Sequence, residues 1–489
     1  MKKIVFLLLL FCTGLSLYAI DGFTFKDPAL RMLLKAQQEN NQAWASNEAF
    51  LEAGVLEYES ARSMLYPQLN AGLDGGAASS YINSTPAGIE LGDLYALSVS
   101  PSLSVSQLLP SSGILTGSVT DELDATITKE SDSSRQLEWD ESTLSFVIGI
   151  SQPLFFGNAY KAARTQLTES HEISRITYLD NRNNLISSVL NDYYNLIQTA
   201  YQLQLVQSRL TTNTEFEKKM LREHSLGMWT KGQLNSAKAA RLQSEVDLIR
   251  TLSEYSSAGD KIKTLYGVEL NIDISSVDIE TIPFNAETLA PFQLIEEGNP
   301  ETQINKKRIA IAEADTVITK KNSAFNLNLG SSYSLTNDIN AEGFVSDGSL
   351  NSLAFTLGLS MPLLDGGSAR KTIELKQIQA GKLGKDFNEQ KKNTASQLQA
   401  LLNSITLSKK LAEIYLVQEE TAAFDYETGS RELELGRITQ KELLELQIAL
   451  DDTRLTILEN KINYNLTVLQ IYRQLGLDLS LLTGREGAE

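Results

Sequence analysis

The chain has 489 residues, 61 of them acidic and 43 basic, for a formal net charge of -18, with one cysteine and two histidines. That acidic balance argues against a nucleic-acid partner, whose phosphates it would repel. So little cysteine and histidine argues equally against a disulfide framework or a metal site.

Met1, Lys2 and Lys3 precede a largely apolar run from Ile4 to Leu15 and then Ser16, Leu17, Tyr18 and Ala19. This is the layout of a cleavable secretory signal over residues 1–19, with cleavage predicted after Ala19. The run is short for a membrane-spanning helix, which takes roughly 20 apolar residues. The sole cysteine, Cys12, lies inside it; lipid modification there is the rival reading, disfavoured by Phe11 where a small residue is expected. Losing the signal removes Lys2 and Lys3 and takes the charge from -18 to -20. No later stretch approaches 18 apolar residues, so any crossing of a membrane has to be made by strands.

Asp27 to Tyr66 is helical in pattern, with Asp27 as N-cap, Pro28 in the first turn and Pro67 as the stop. The period then changes to two, predicting strands over 68–79, 94–107, 113–127 and 142–154. In the last of these Leu144, Phe146, Ile148 and Ile150 alternate with Thr143, Ser145, Gly149 and Ser151. Leu109 to Gly113 reads as a turn and Lys129 to Glu141 as an exposed loop. A helix is predicted from Asn158 to His224, about 66 residues and so roughly 100 Å long at about 1.5 Å per residue. Its apolar positions, among them Leu185, Val189, Tyr193 and Leu196, keep the three and four spacing of a rod packed along one seam. After a break at Gly227 a second helix returns from Thr230 to Leu265, making an antiparallel hairpin with its tip near 225–232.

Residues 271–299 read as a linker, and the order of elements then starts again. A helix over Pro300 to Ser323 leads to strands at 325–336 and 352–362, with an exposed loop from Asn337 to Asp347. A long helix from Gly367 to Glu434 breaks at Gly436 and returns from Thr439 to Leu475, with its tip near 434–441. A tail follows at 481–489, and its end, Arg485 to Glu489, lacks the terminal aromatic of ordinary barrels, as expected if it ends in the periplasm. Pro153 and Pro362, Gly227 and Gly436, Thr230 and Thr439, and Gly267 and Gly476 each lie 209 residues apart. Such a constant offset predicts two tandem copies of one unit, residues 20–270 and 300–480. Upstream of the prolines, Leu69 and Leu327, and Gly72 and Gly330, lie 258 apart, so the first copy carries 49 extra residues among its strands.

Alternating strands of about ten residues are long enough to cross a bilayer when tilted, and a soluble antiparallel sheet with one buried face shows the same alternation. The small uncharged polar face of Ser, Thr, Gly and Asn, the export signal and the long helices favour a membrane wall. Catalysis finds little support. His171 and His224 sit in helical patterns with no ligand cluster nearby, and read as packing or surface residues. Gly381 to Lys385 falls inside a helix and is not a phosphate loop.

The stretches SQPLFFGNAYKAARTQ, SMPLLDGGSARKTIELKQ and LELGRITQKELLELQ, with SLGMWTKGQLNSA as a poorer copy of the last, resemble the TolC-like outer-membrane efflux proteins over nearly all of the mature chain. The resemblance implies an α+β fold, a trimeric outer-membrane β-barrel continued by a long periplasmic α-helical barrel, with two tandem repeats per chain and no cofactor. It implies an exit duct of a tripartite efflux or type I secretion system, held in outer-membrane lipid as a homotrimer. Its tips would dock a periplasmic adaptor (membrane fusion) protein that links it to an inner-membrane transporter. Mapped onto this chain, the tips are Leu226, Gly227, Met228, Trp229 and Thr230, and Leu435, Gly436, Arg437, Ile438 and Thr439. The acidic ring of the family's constriction falls on Glu442 and Glu445, with two solvated glutamates on an ordinary helix as the other reading; Gln233 and Ser236 take those places in the first copy, so no second ring is implied. Leu433 and Ile438 lack the polar groups that link neighbouring tips in well-known members. Trp229 reads either as an adaptor anchor or as an apolar plug. The competing function is a soluble periplasmic coiled-coil structural or adaptor protein.

Overall fold

The computed structural model describes residues 25–85, 88–129, 135–139, 142–154, 159–272, 279–284, 298–323, 326–339, 350–360 and 365–483. The expected signal with Cys12, much of the 271–299 linker and the end of the C-terminal tail lie outside the described residues. The chain divides into two compact units, one of Met1–Glu52, Ser174–Asn305 and Asp386–Glu489, the other of Ala53–Ile173 and Lys306–Lys385.

The first unit holds helix α1 (Pro28–Asn40) and the start of α2 (Gln42–Ser63). Asp27 caps α1, its carboxylate accepting from Ala29 N at 2.9 Å. The single helix expected to reach Tyr66 breaks at Asn41, which is extended and whose side chain accepts from Ala43 N at 2.8 Å. Asparagine competes for backbone donors in this way, so it starts a second helix rather than continuing the first. Most of α3 (Ala159–Ser225), α4 (Lys231–Tyr266), most of α6 (Ser368–Glu434) and α7 (Gln440–Gln474) complete the unit. They form two hairpins, α3 with α4 and α6 with α7. The α3 and α6 helices have 67 residues each, roughly 100 Å.

The core lies where Leu33, Val189, Leu190, Ile262, Val468 and Ile471 pack together, each almost wholly inaccessible. Residues 279–284 are stapled onto it by polar groups. Buried Asn465 donates to Tyr194 Oη (3.0 Å) and to Glu280 O (2.7 Å) and accepts from Ile282 N (2.9 Å). Tyr472 Oη donates to Pro283 O at 2.5 Å. Burial pushes both phenols up to about 12, so each stays protonated and available as a donor.

The second unit carries the sheet. Its strands are β1 (Gln68–Thr85), β2 (Gly88–Leu108), β3 (Ile114–Lys129), β4 (Arg135–Trp139), β5 (Ser142–Pro153), β6 (Asn326–Ile339) and β7 (Leu350–Ser360). The order is β1-β2-β3-β5-β6-β7 with β4 off the path against β3, and every pairing is antiparallel. Helical parts of α2, α3, α5 (Pro300–Ser323) and α6 belong to the same unit. Tyr58 stacks on His171 with centroids 4.5 Å apart, and Lys307 meets Glu169 at 2.9 Å.

Two departures from the sequence expectation concern strand extent. The 129–141 stretch is not all loop, since Arg135–Trp139 pairs with Lys129–Ala125. And β2 begins at Gly88, six residues before its alternation, because β1 continues alongside it as far as Thr85; a hydrogen-bonded ladder persists without an apolar face to mark it. Residues 340–349 of the second expected loop lie outside the described residues, and Asn337 to Ile339 belong to β6.

Cross-strand partners share a face, so the register sorts the sheet into rows. One row runs Leu69, Val105, Gly117, Ile148, Tyr333, Leu353, and the next level runs Asn70, Ser104, Ser118, Val147, Ser334, Ser352 on the opposite face. One surface is apolar and the other rich in hydroxyls. Leu353, Phe355, Leu357 and Leu359 on β7 are all exposed.

Candidate functional site

Each helical hairpin turns through the same local device. At the end of α3, Gly227 has φ 77°; its N–H bonds to His224 O (2.9 Å) and Met228 N–H to Glu223 O (3.0 Å). At the end of α6, Gly436 has φ 67°, with Gly436 N to Leu433 O at 3.0 Å and Arg437 N to Glu432 O at 2.8 Å. This is the Schellman stop, which needs a left-handed residue and therefore favours glycine. Nothing crowds either glycine within 4 Å, so the requirement is conformational.

Three residues after each glycine comes a threonine N-cap. Thr230 Oγ1 accepts from Gln233 N (3.3 Å) while Gln233 Oε1 accepts from Thr230 N (3.0 Å). Thr439 Oγ1 accepts from Glu442 N (3.3 Å) while Glu442 Oε2 accepts from Thr439 N (2.7 Å) and from the Thr439 hydroxyl (2.9 Å). Both are capping boxes. The signal for them was present in the sequence as Thr-x-x-Gln and Thr-x-x-Glu, and it gives Glu442 a role that the expected acidic ring does not mention. The two bonds from Thr439 hold the Glu442 carboxyl below its ordinary value, keeping it ionised.

Leu226, Met228, Leu435 and Arg437 are exposed at the ends of the hairpins, whereas Trp229 and Ile438 are half-buried. Trp229, in the turn, is tied back to the end of α3: its indole Nε1 donates to Glu223 Oε2 at 2.6 Å, and His224 Nδ1 donates to its carbonyl oxygen at 2.6 Å. His224 thus braces the turn. Between the two tips lies a cavity of about 680 Å³, lined by Phe216, Met220, Trp229, Ile438, Leu444 and Glu445 among others. Glu445 pairs with Lys441 at 3.4 Å, and both residues line that cavity. Glu442 does not line it. The two expected ring carboxylates are thus brought close in sequence and helix position but have different partners. Among the described residues no group of His, Cys, Asp and Glu is placed to hold a metal ion, and no helix is long and apolar enough to cross a membrane.

The family model described as outer membrane efflux protein matches residues 33–268 and 292–477. No curated protein matches this chain in sequence. Among solved structures it is similar to the CmeC outer membrane channel of Campylobacter jejuni, at 12% identity with a TM-score of 0.64, covering 92% of this chain and 86% of that one. It is similar also to the outer membrane protein VceC of Vibrio cholerae, at 12% identity and TM-score 0.63, covering 92% and 97%. The open state of the Neisseria gonorrhoeae MtrE outer membrane channel follows at 13% identity and TM-score 0.61, covering 92% and 90%.

Proposed function

The chain belongs to the outer membrane efflux protein family and resides in the outer membrane with a periplasmic portion, and from that premise we propose that it is a homotrimeric exit duct, conducting substrates passively from periplasm to exterior. The observation that carries this reading is the sheet. Among the described residues β1 pairs only with β2 and β7 only with β6, leaving two antiparallel edges on a sheet with one apolar face. Unpaired backbone groups cannot face hydrocarbon, and six strands are too few to enclose an open channel. Copies joined edge to edge resolve both problems.

The helices support the same assembly. Leu242, Val246 and Ile249 on α4, and Leu407, Ile414, Val417 and Phe424 on α6, are exposed at the spacing of a coiled-coil seam. Neighbouring subunits would bury these stripes, continuing the barrel as a wall of helices. We read the chain as two tandem copies, 20–270 and 300–480. The tips, Leu226 to Thr230 and Leu435 to Thr439, would dock a periplasmic adaptor coupled to an inner-membrane transporter, and Glu442 and Glu445 from three subunits would ring the constriction with carboxylates that favour cations. A soluble coiled-coil protein has no use for a lipid-facing strand surface.

The test is to extract the protein from outer membranes in detergent, measure its mass and record currents in a planar bilayer. A trimer with stepwise conductance is expected. A monomer recovered from the aqueous periplasm without detergent, and without conductance, would falsify the reading.

A further inference from the structure

The first copy's 49 extra residues have a definite place in the sheet. By sequence offset β1 corresponds to β6, through Leu69 with Leu327, and β5 to β7, through Pro153 with Pro362. In the second half β6 and β7 pair directly, from Asn326↔Ser360 to Thr336↔Leu350. In the first half β1 and β5 do not touch. The edge of β5 that would receive β1 is occupied by β3, from Ile114↔Ser151 to Glu122↔Thr143, and β2 lies between β3 and β1. The β2–β3 hairpin is therefore inserted within the sheet, and any continuous wall from β5 to β1 runs through it.

Strand β4 adds no further width. Ala125 pairs both with Leu97 of β2 and with Trp139 of β4, and a strand has only two edges. So β4 lies on the same edge of β3 as β5, further along it, and the wall is six strands across.

The inserted hairpin carries the wall's two-faced pattern. Leu103 and Val119 stand in one row with Ala71, Phe146 and Leu335, while Ser102 and Thr120 stand in one row with Gly72, Ser145 and Thr336. Its turn is fastened as well. Ser111 Oγ donates to Gln152 Oε1 (2.6 Å), Gln152 Nε2 donates to Ser111 O (2.8 Å), and Ser112 Oγ accepts from Tyr160 N at the start of α3 (3.1 Å). A Cβ at Gly113 would displace the end of the Gln152 side chain and come within 3.0 Å of Ser151 O. An appendage standing free of the barrel would need none of this.

Resting on the trimeric-duct reading, we propose that the β2–β3 hairpin is part of the transmembrane wall, that three subunits close an 18-stranded barrel, and that this wide mouth passes cargo as broad as a helical hairpin. Two strands from each copy would have made twelve. With strands about 4.8 Å apart and tilted about 40°, 18 strands give a backbone radius of about 18 Å against about 12 Å for twelve. Allowing about 5 Å for side chains on each wall leaves roughly 25 Å, room for two helices of about 10–12 Å side by side. Selection by size then falls to the helical end of the duct.

Single nitroxide labels test the wall in a Cys12→Ser background, which is otherwise free of cysteine. Labels at Leu103→Cys and Val119→Cys, in trimers reconstituted in phosphatidylcholine vesicles, are expected to lose collisions with an aqueous nickel chelate and keep those with oxygen, matching labels at Ile148→Cys and Leu357→Cys. Labels at Ser104→Cys and Ser118→Cys are expected to keep the nickel collisions. If nickel reaches residues 103 and 119 while 148 and 357 stay shielded, the hairpin stands outside the bilayer and this proposal fails alone. If nickel reaches 148 and 357 too, the lipid-facing wall itself fails and takes the proposal with it. End-on electron micrographs of the unmodified trimer give a second measure: a barrel about 1.5-fold wider than a twelve-stranded one is expected, and a twelve-stranded diameter overturns the proposal.

Discussion

The two hairpin tips are built alike and charged differently. Each stops on a left-handed glycine and restarts on a threonine capping box, yet the residue that closes the box is Gln233 in one and Glu442 in the other. A neutral amide does the capping as a carboxylate does, so the turn does not require the charge at 442. That charge is available to the channel. The turns differ too: Trp229 folds back onto Glu223 and His224, whereas Ile438 at the corresponding place has no indole to make such a strap.

The likeness is most sharply broken by forcing the glycines out of φ > 0. Gly227→Val and Gly436→Val should each destabilise its turn by about 1–3 kcal/mol, seen as faster amide exchange over the affected tip with the trimer intact. Gly436→Val should also weaken adaptor docking; equal protection in mutant and parent would mean the turns tolerate a right-handed residue. Next in size are the caps. Thr230→Ala and Thr439→Ala should cost about 1 kcal/mol each, roughly a five-fold rise in local opening, and a difference between the two would show that the carboxylate cap is the stronger.

The smallest effect separates charge from cap. Glu442→Gln should keep the box closed, as Gln233 does in the other tip, and should raise exchange there no more than acid does in the parent, while lowering cation preference in single-channel recordings, with Glu445→Gln lowering it further. Unaltered selectivity in the double variant would remove the acidic ring. The pH dependence follows from the direction of the shift. Glu442 titrates below its ordinary value when folded, so its contribution is full above the unfolded carboxyl range and is lost only as pH falls through the folded value. The α6–α7 capping box should therefore loosen in acid while the α3–α4 capping box, closed by the amide of Gln233, does not.

Periodicities of two and 3.6, export, and the glycine and threonine punctuation of the hairpins were legible in the residues because each is a local property, decided within a few positions along the chain. On those grounds the strands and the helical hairpins could be read before any coordinates, while the family and its barrel fold came from the resemblance of stretches such as SQPLFFGNAYKAARTQ and LELGRITQKELLELQ. Other features turn on which partner a group takes, whether near in sequence or distant. The break at Asn41 hangs on one side chain choosing its neighbour's backbone; β4 and the early start of β2 are strands only because another strand lies beside them. The direction of the Glu442 carboxylate depends on a capping geometry that a helical-wheel reading leaves out. Above all, the same alternation would suit a hairpin standing outside the sheet or one set within it. Only the pairing of β3 against β5 decides between them, since hydrogen-bonded edges are a property of two segments together and neither segment encodes it alone.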